Sequence, residues 1–217
     1  MTFSVEVSVP DICSCFDSGA TDLKLHARSR EFKPARRTGL PRPAWLVTLP
    51  RQRVSITASS ESSPCAIEEG TLAPDFKLPS TAGTDVVLSS FRGKQNVLLA
   101  FFPLAFTSTC TAELCAFSED FDRFASAGTA VLPISVDSVP TLREFKAKYA
   151  MKVDLLSDFK RTVARAYGVL IEERFFTQRA YFLIDRAGQI RWQHTEAELG
   201  QRRDDTELLR QIATLEA

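Results

Sequence analysis

The chain has 217 residues, of which 44% are hydrophobic, and 27 acidic residues balance 27 basic ones. This length suits one globular domain, and the absence of any run of 18 apolar residues argues against a membrane span. Five cysteines and two histidines allow neither a disulfide scaffold nor a zinc cluster of ordinary spacing. We therefore expect chemistry carried by thiols or carboxylates, without a metal or other cofactor.

Residues 1–65 are predicted to be an extension that precedes the folded domain of residues 66–217. Between residues 24 and 57, nine Lys and Arg residues stand against one acid, Glu31, and turn formers interrupt every apolar run. Such a segment buries too little surface to offset the entropy of ordering it. Its Arg-rich, Ser-containing character resembles an organelle transit peptide, which implies a plastid location, with mitochondrion or cytoplasm as alternatives. A disordered extension without an address and a nucleic-acid arm are the other interpretations, and we predict no nucleic-acid partner.

Beyond residue 74 the pattern alternates between strands and helices. The apolar run of residues 96–102 predicts a strand buried on both faces, and apolar spacing over 111–125 predicts an amphipathic helix with Glu113 mostly on its polar side. Further on, the pattern predicts a strand at 130–136, helices at 141–149 and 158–167, a hairpin of 181–185 with 189–193, and a last helix at 203–215. This order matches the thioredoxin fold, an α/β architecture with a mixed central sheet and helices on both faces.

Cys110 follows the first buried strand and lies where the next helix begins. A thiol in the first turn of a helix is near the positive end of the helix dipole and near unpaired backbone amides, which favour the thiolate. The thiolate is the nucleophile of cysteine chemistry. Thr107 can cap this helix and aim its hydroxyl at the sulfur, and Pro103 can close the pocket against water. The alternative interpretation is an inert buried cysteine.

The pattern Pro103-x-x-x-Thr107-x-x-Cys110 after a Phe-Phe strand resembles the signature of the peroxiredoxin family. Matching segments from Ala73-Pro74-Asp75-Phe76 to Arg179-Ala180-Tyr181-Phe182 follow in the family's order. The resemblance implies a thiol peroxidase with a thioredoxin fold that reduces hydrogen peroxide and organic hydroperoxides. It also implies thioredoxin or a related thiol reductant as partner, and a monomer or homodimer. A thioredoxin-type oxidoreductase would need Cys-x-x-Cys, which the chain lacks.

The same resemblance implies a role for each matching residue. The transition state develops negative charge as the O–O bond breaks, so a cation in the site has a clear physical purpose. Taken alone, Arg179 could instead be a solvated charge at a strand end, and Glu113 could simply be a residue that suits the first turn of a helix. The implied roles are Cys110 as the peroxidatic cysteine, Thr107 as the hydroxyl that positions the peroxide, Pro103 as the shield, Arg179 as the stabilising cation and Glu113 as its orienting partner.

Cys115 raises the question of how an oxidised Cys110 is resolved. The spacing Cys-x-x-x-x-Cys resembles the peroxiredoxin Q subgroup, also called bacterioferritin comigratory protein, and implies an intramolecular Cys110–Cys115 disulfide. The stretch from Pro103 to Thr107 is closer to the one-cysteine subgroup that resembles alkyl hydroperoxide reductase E, in which an external thiol resolves the sulfenic acid. A noncatalytic binding or chaperone protein on the same fold is a further alternative.

Overall fold

The computed structural model describes residues 67–215. The predicted extension of residues 1–65 lies outside this range, together with Cys13, Cys15 and Cys65. A short 3-10 helix covers Leu88–Phe91. The strands are β1 (Lys77–Pro79), β2 (Asp85–Val87), β3 (Asn96–Phe101), β4 (Thr129–Ser135), β5 (Leu156–Ser157), β6 (Leu170–Ile171), β7 (Phe176–Thr177), β8 (Ala180–Ile184) and β9 (Ile190–Thr195). The helices are α1 (Ser108–Glu119), α2 (Phe121–Ser126), α3 (Val139–Lys148), α4 (Thr162–Ala166) and α5 (Asp205–Ala213).

Five of these strands form the central sheet, in the order β5-β4-β3-β8-β9. The central strand β3 runs parallel to β4 and antiparallel to β8, while β5 is parallel to β4 and β9 antiparallel to β8. All six residues of β3 are buried. Other parts of the protein cover both faces of this strand, so its sequence does not alternate between apolar and polar residues. The mixed sheet, covered by helices on both faces, confirms the predicted α/β class and thioredoxin fold.

Side chains of β3 alternate between two separate apolar cores. One set, Val97, Leu99 and Phe101, packs with α4 and the β1–β2 hairpin, because successive residues of a strand point to opposite faces. The other set, Leu98, Ala100 and Phe102, packs with residues of α1, α2, α3 and α5. Cys110 and Cys115 belong to this second core. Both thiols therefore lie between the sheet and a layer of helices.

The single helix predicted over residues 111–125 consists of two helices that meet at Asp120. This residue ends α1 and precedes α2 with φ −86° and ψ 9°. Its carbonyl accepts hydrogen bonds from the N–H groups of Arg123 and Phe124, at 2.9 and 3.1 Å, and its carboxylate pairs with the Arg123 guanidinium at 2.8 Å. The apolar spacing continues across the break, so the sequence pattern alone does not show it. The prediction of one continuous helix was wrong at this point.

The helix predicted over residues 158–167 is shorter, because α4 begins only at Thr162. The carboxylate of Asp158 accepts hydrogen bonds from the backbone N–H groups of Thr162 and Ala164, at 3.0 and 2.7 Å. Asp158 therefore satisfies the first amides of the helix from a turn outside it. Arg161 completes that turn with a left-handed φ of 60°.

The remaining predicted elements are present with bounds shifted by one or two residues at most of their ends. The strand at 130–136, the helix at 141–149, the closing hairpin and the last helix correspond to β4, α3, β8 with β9, and α5. The strands that the pattern missed, such as β5, β6 and β7, have two residues each and are too short to show a period. Within residues 67–215, no helix has both the length and the apolar composition needed to cross a membrane.

Candidate active site

The loop of residues 102–107, between β3 and α1, places Cys110, and two hydrogen bonds to distant parts of the chain hold its first residue and its middle. The hydroxyl of Thr177 donates to the carbonyl of Phe102 at 2.9 Å, and the N–H of Ala105 donates to the Asp137 carboxylate at 2.8 Å. Between the loop and the helix, Phe106 adopts a left-handed φ of 64°. The start of α1 is therefore fixed relative to the central strand, and Cys110 is the third residue of the helix.

Thr107 occupies the N-cap position of α1, but its hydroxyl does not cap the helix. The hydroxyl donates instead to the carbonyl of Leu104 at 3.0 Å. The backbone carbonyl of Thr107 accepts from both the N–H and the hydroxyl of Thr111, at 2.9 and 2.8 Å. The expected side-chain cap is therefore wrong, and the Thr107 hydroxyl stabilises the loop turn. Its role in positioning a peroxide stays a prediction.

Cys110 is buried, with 1% of its surface exposed, and the guanidinium of Arg179 contacts its sulfur. Nη2 of Arg179 lies 3.3 Å from the Cys110 Sγ and 3.3 Å from the carbonyl oxygen of Leu199. Arg179 precedes β8, the strand antiparallel to β3, so the sheet brings the two residues together across 69 positions of sequence. A guanidinium at this distance attracts a thiolate, and it can also meet negative charge that develops on a bound reactant.

Glu113 completes this group from one turn further along α1. One carboxylate oxygen forms an ion pair with Nη1 of Arg179, and the other accepts a hydrogen bond from the hydroxyl of Tyr181. Burial raises the pKa of Glu113, while the Arg179 charge and the Tyr181 hydroxyl act to lower it. Burial disfavours the charge of Arg179, but the neighbouring Glu113 and Cys110 raise its pKa overall. The prediction that Glu113 faces mostly outward was wrong, because only 1% of it is exposed.

Two of the remaining predicted residues are buried nearby in the chain. Pro103 is buried at the start of the loop, and its role as a shield stays a prediction. Cys115 is buried on the same helix as Cys110, and both cysteines are in the thiol state. The structure thus brings Cys110, Arg179 and Glu113 into direct contact, while Cys115 lies in the apolar core to which Cys110 also belongs.

Sequence reasoning missed a set of supporting residues that contact Arg179 and Glu113. In the sequence pattern Tyr181 has the position of an ordinary apolar strand residue, but its hydroxyl donates a hydrogen bond to Glu113. Leu199 and Arg203 belong to the segment of residues 196–204 between β9 and α5. The Leu199 carbonyl accepts from Arg179 and the Arg203 N–H donates to the Tyr181 oxygen at 3.1 Å. Backbone groups carry both contacts, so no side-chain pattern could have revealed them.

A second buried carboxyl, Asp205, lies in the first turn of α5 close to this group. Neither of its carboxylate oxygens has a hydrogen-bond partner among the described residues. Burial, and after it the negative charges of Asp120, Asp204 and Glu113, raise the pKa of Asp205 to about 7, while the positive charge of Arg202 acts to lower it. No group of three or more histidine, cysteine or acidic side chains within residues 67–215 is arranged to hold a metal ion.

Asp205 predicts a specific dependence of stability on pH. The folded protein holds this proton more tightly than the unfolded chain, whose aspartate pKa is about 3.9, so its contribution to stability is lost as pH rises from about 4 to about 7. The free energy of unfolding of Asp205→Asn should therefore rise relative to that of wild type between pH 4 and pH 8, by about 4 kcal/mol. Denaturant unfolding at both pH values measures this difference.

Asp204→Asn is the matched control for this measurement. Asp204 is the N-cap of α5, and its carboxylate accepts from the Thr206 N–H at 2.8 Å, which lowers its pKa. The stability from this carboxylate is present above the unfolded pKa and is lost as pH falls, so at high pH the control should gain only the small part of the Asp205 effect that the Asp204 charge causes. Equal pH dependence of both variants would contradict the assignment to Asp205.

The chain matches the AhpC/TSA family over residues 70–193. Alkyl hydroperoxide reductase E of Mycobacterium tuberculosis is 40% identical over 125 residues, which cover 57% of this chain and 82% of that protein. Peroxiredoxin Bcp of Escherichia coli is 37% identical over 130 residues, covering 57% and 83%. The chloroplastic 2-Cys peroxiredoxin BAS1 of Arabidopsis thaliana is 32% identical over 191 residues, covering 83% and 70%.

A solved structure shares the same architecture. The reduced 2-Cys peroxiredoxin of Plasmodium vivax superposes with a TM-score of 0.64 and 32% identity, covering 70% of this chain and 83% of that one. The matched family range includes Cys110, Glu113 and Arg179, the three residues in direct contact. With more than half of its length inside the family match, the chain belongs to the AhpC/TSA family, to which its similarity to peroxiredoxins also points.

Proposed function

We propose that this protein is a thiol peroxidase that reduces hydrogen peroxide and organic hydroperoxides through Cys110. The observation that carries the proposal is the contact of the Arg179 guanidinium with the Cys110 sulfur, at 3.3 Å in a buried site at the start of α1. The relatives named above, which are peroxiredoxins and an alkyl hydroperoxide reductase, support the same reaction class. No cofactor is required, because the sulfur itself is oxidised.

In the first step the Cys110 thiolate attacks one oxygen of the peroxide. An S–O bond forms, the O–O bond breaks, and its electron pair leaves with the second oxygen, which takes up a proton to become water or an alcohol. The sulfur loses two electrons and becomes a sulfenic acid, while the peroxide gains two. Arg179 is placed to stabilise both the thiolate and the charge that appears on the departing oxygen. In this proposal Thr107 positions the peroxide and Pro103 shields the pocket.

In the second step the Cys115 thiol attacks the Cys110 sulfenic acid, which forms an S–S bond and releases water. A dithiol such as that of thioredoxin then reduces the disulfide and restores both thiols. Five positions on a helix separate two Cα atoms by about 8.6 Å, whereas a disulfide tolerates at most about 7 Å. Since both residues lie within α1, this helix must unwind locally before the disulfide can form.

The experiment compares wild type with Cys115→Ser in two assays. Wild type should oxidise thioredoxin when hydrogen peroxide is added and, after one equivalent of peroxide, contain the Cys110–Cys115 disulfide by peptide mass spectrometry. Cys115→Ser should still consume the first equivalent of peroxide but lose thioredoxin-dependent turnover by about 10²-fold or more, because its sulfenic acid lacks the resolving thiol. Amide exchange of α1 should be faster in the oxidised wild type than in the reduced protein.

The results separate the alternatives. Full thioredoxin-dependent turnover of Cys115→Ser, together with no Cys110–Cys115 disulfide in oxidised wild type, would replace intramolecular resolution by the one-cysteine mechanism that the resemblance to the alkyl hydroperoxide reductase E subgroup implies. A wild type that consumes no peroxide under any reductant would overturn the peroxidase function and favour a noncatalytic role. Unchanged exchange of α1 on oxidation would contradict the proposed unwinding.

We also propose that residues 1–65 are a transit peptide that directs the folded domain of residues 66–217 to the plastid. The basic composition of residues 24–57 supports this interpretation. The chloroplastic relative from Arabidopsis thaliana, aligned over 83% of this chain, supports the same compartment.

A further inference from the structure

Tyr181 is a buried residue that the proposed mechanism does not use. It lies on β8 two positions after Arg179, with 0% of its surface exposed. Its hydroxyl donates to the Oε1 of Glu113 and accepts from the backbone N–H of Arg203 at 3.1 Å. A continuous series of contacts therefore runs from the Arg203 amide through the phenol and the carboxylate to the Arg179 guanidinium and the Cys110 sulfur.

The two oxygens of Glu113 have different partners, and each partner has a different task. Oε2 binds Nη1 of Arg179, so it sets the direction of the guanidinium. Oε1 has the Tyr181 hydroxyl as its donor, and a buried carboxylate oxygen without a donor is costly in free energy. Because burial already raises the pKa of Glu113, loss of the phenol would favour the protonated, neutral carboxyl. A neutral Glu113 binds Arg179 less firmly.

Building on the proposed peroxidase function, we propose that Tyr181 is a positioning residue that holds Glu113, and through it Arg179, in place at the Cys110 sulfur. The phenol touches neither the sulfur nor the guanidinium through a hydrogen bond that the structure shows, so it acts through the carboxylate. Its own ionisation plays no part, because burial and the Glu113 charge raise the pKa of Tyr181 far above neutral pH.

The 196–204 segment holds the outer end of this series. The N–H of Glu196 donates to the carbonyl of Arg179 at 2.9 Å, and the Glu196 carboxylate pairs with the Arg203 guanidinium at 3.1 Å. The segment is therefore bound to Arg179 at its first residue, Glu196, and near its last residue the N–H of Arg203 donates to the phenol. The charged and titratable groups around Glu113 are Arg179, Tyr181, Cys110, and, from the side of α5, Arg202 and Asp205.

Tyr167 provides a matched control in the same protein. It is also a buried tyrosine, with 3% of its surface exposed, and its hydroxyl donates to the Pro74 carbonyl at 2.9 Å. It belongs to the opposite core from Cys110. Tyr167→Phe and Tyr181→Phe each remove one buried hydroxyl and keep the ring, so a general structural cost should be similar in both variants.

The experiment follows the second-order rate of Cys110 oxidation by hydrogen peroxide between pH 4 and pH 9. Tyr181→Phe should slow the reaction at neutral pH by about tenfold and move the acid limb of the rate profile to higher pH, because Glu113 then ionises less readily. Tyr167→Phe should stay within about twofold of wild type with the same limb. A Tyr181→Phe profile that matches Tyr167→Phe, in rate or in limb, overturns the proposal.

A double-mutant cycle with Glu113→Gln tests whether the phenol acts through the carboxylate. In the Glu113→Gln background, Tyr181→Phe should change the rate by less than about twofold, because the group that it positions is already altered. An equal slowing in both backgrounds overturns the proposal. If Tyr181→Phe does not fold, Arg203→Pro and Arg203→Ala are compared instead, since only proline removes the N–H that supports the phenol.

In that second comparison, Arg203→Pro should be slower than Arg203→Ala and should shift the acid limb, and equal profiles would overturn the inference. These outcomes are distinct from failure of the peroxidase proposal itself. A wild type without peroxide consumption overturns the proposed function. An active wild type with an unaffected Tyr181→Phe variant overturns only the role of Tyr181.

Discussion

Cys110→Ser is expected to lose peroxide reduction by about 10³-fold or more, because serine is a poor nucleophile at neutral pH and forms no sulfenic acid. The substitution changes one atom at a buried position in the first turn of α1, so the fold should persist. Consumption of hydrogen peroxide in the presence of dithiothreitol measures the effect without any requirement for a second protein cysteine. A probe selective for sulfenic acids should label Cys115→Ser at Cys110, because no resolving thiol removes the sulfenic acid there, and it should leave Cys110→Ser unlabelled.

Cys115→Ser is the matched control for this prediction, because it makes the same change on the same helix, five residues later. With dithiothreitol as the external thiol, this variant should retain the first oxidation step at close to the wild-type rate. If Cys110→Ser kept more than about a tenth of the wild-type rate, the nucleophile would have to be another group. The described part of the chain holds one other cysteine, Cys115, so a reversed result would reassign the chemistry to it.

Arg179→Lys is expected to lower the rate of Cys110 oxidation by about 10² to 10³-fold while the protein remains folded. The guanidinium serves three groups at once, namely the Cys110 sulfur, the Glu113 carboxylate and the Leu199 carbonyl. A lysine ammonium keeps the positive charge that pairs with Glu113. It has only one nitrogen, however, and cannot reach all three groups at once. Stopped-flow measurement of Cys110 oxidation gives the rate, and thermal unfolding checks the fold.

Arg165→Lys is the control for the general effect of replacing an arginine that binds a glutamate through two nitrogens. Arg165 also binds a glutamate with two nitrogens, at 2.8 and 3.1 Å, but on an exposed surface. Exposed ion pairs contribute little, so this variant should keep the wild-type rate and nearly the wild-type stability. Arg179→Met should differ from both, because it leaves the buried Glu113 charge unpaired at a cost of about 3 to 5 kcal/mol. If Arg179→Lys were as active as Arg165→Lys, the proposed role of the guanidinium would be wrong.

Much of the fold was predictable because the sequences of its main elements have a clear hydrophobic pattern. The run over residues 96–102 is long and apolar, and the hairpin around residues 186–188 has both alternation and a turn glycine. The helix break at Asp120 and the late start of α4 after Asp158 were not predictable. Both depend on hydrogen bonds between an aspartate and specific backbone amides, and hydrophobic spacing carries no information about such bonds.

The candidate site likewise contains residues that the sequence could predict and contacts that it could not. Cys110 was predicted from a strand that leads into a helix start together with the Pro103-x-x-x-Thr107-x-x-Cys110 motif, and Arg179 and Glu113 were predicted through the family resemblance. Their mutual distances come from the pairing of β3 with β8, which a single sequence does not reveal. Tyr181 was missed because a buried tyrosine in a strand usually signals packing. The contacts of Leu199 and Arg203 were missed because backbone atoms make them.

The break at Asp120 has a consequence for how the proposed redox cycle stays reversible. The first amides of α2 are held by the Asp120 carbonyl, not by α1, so α2 does not need α1 to remain hydrogen-bonded. When α1 opens to let Cys110 meet Cys115, the opening can stop at Asp120 and cost only a subglobal fraction of the stability. The ring of Phe124, 5.9 Å from that of Phe117 in the closed state, would stay in the core. It would then serve as a template on which α1 reforms after each reduction.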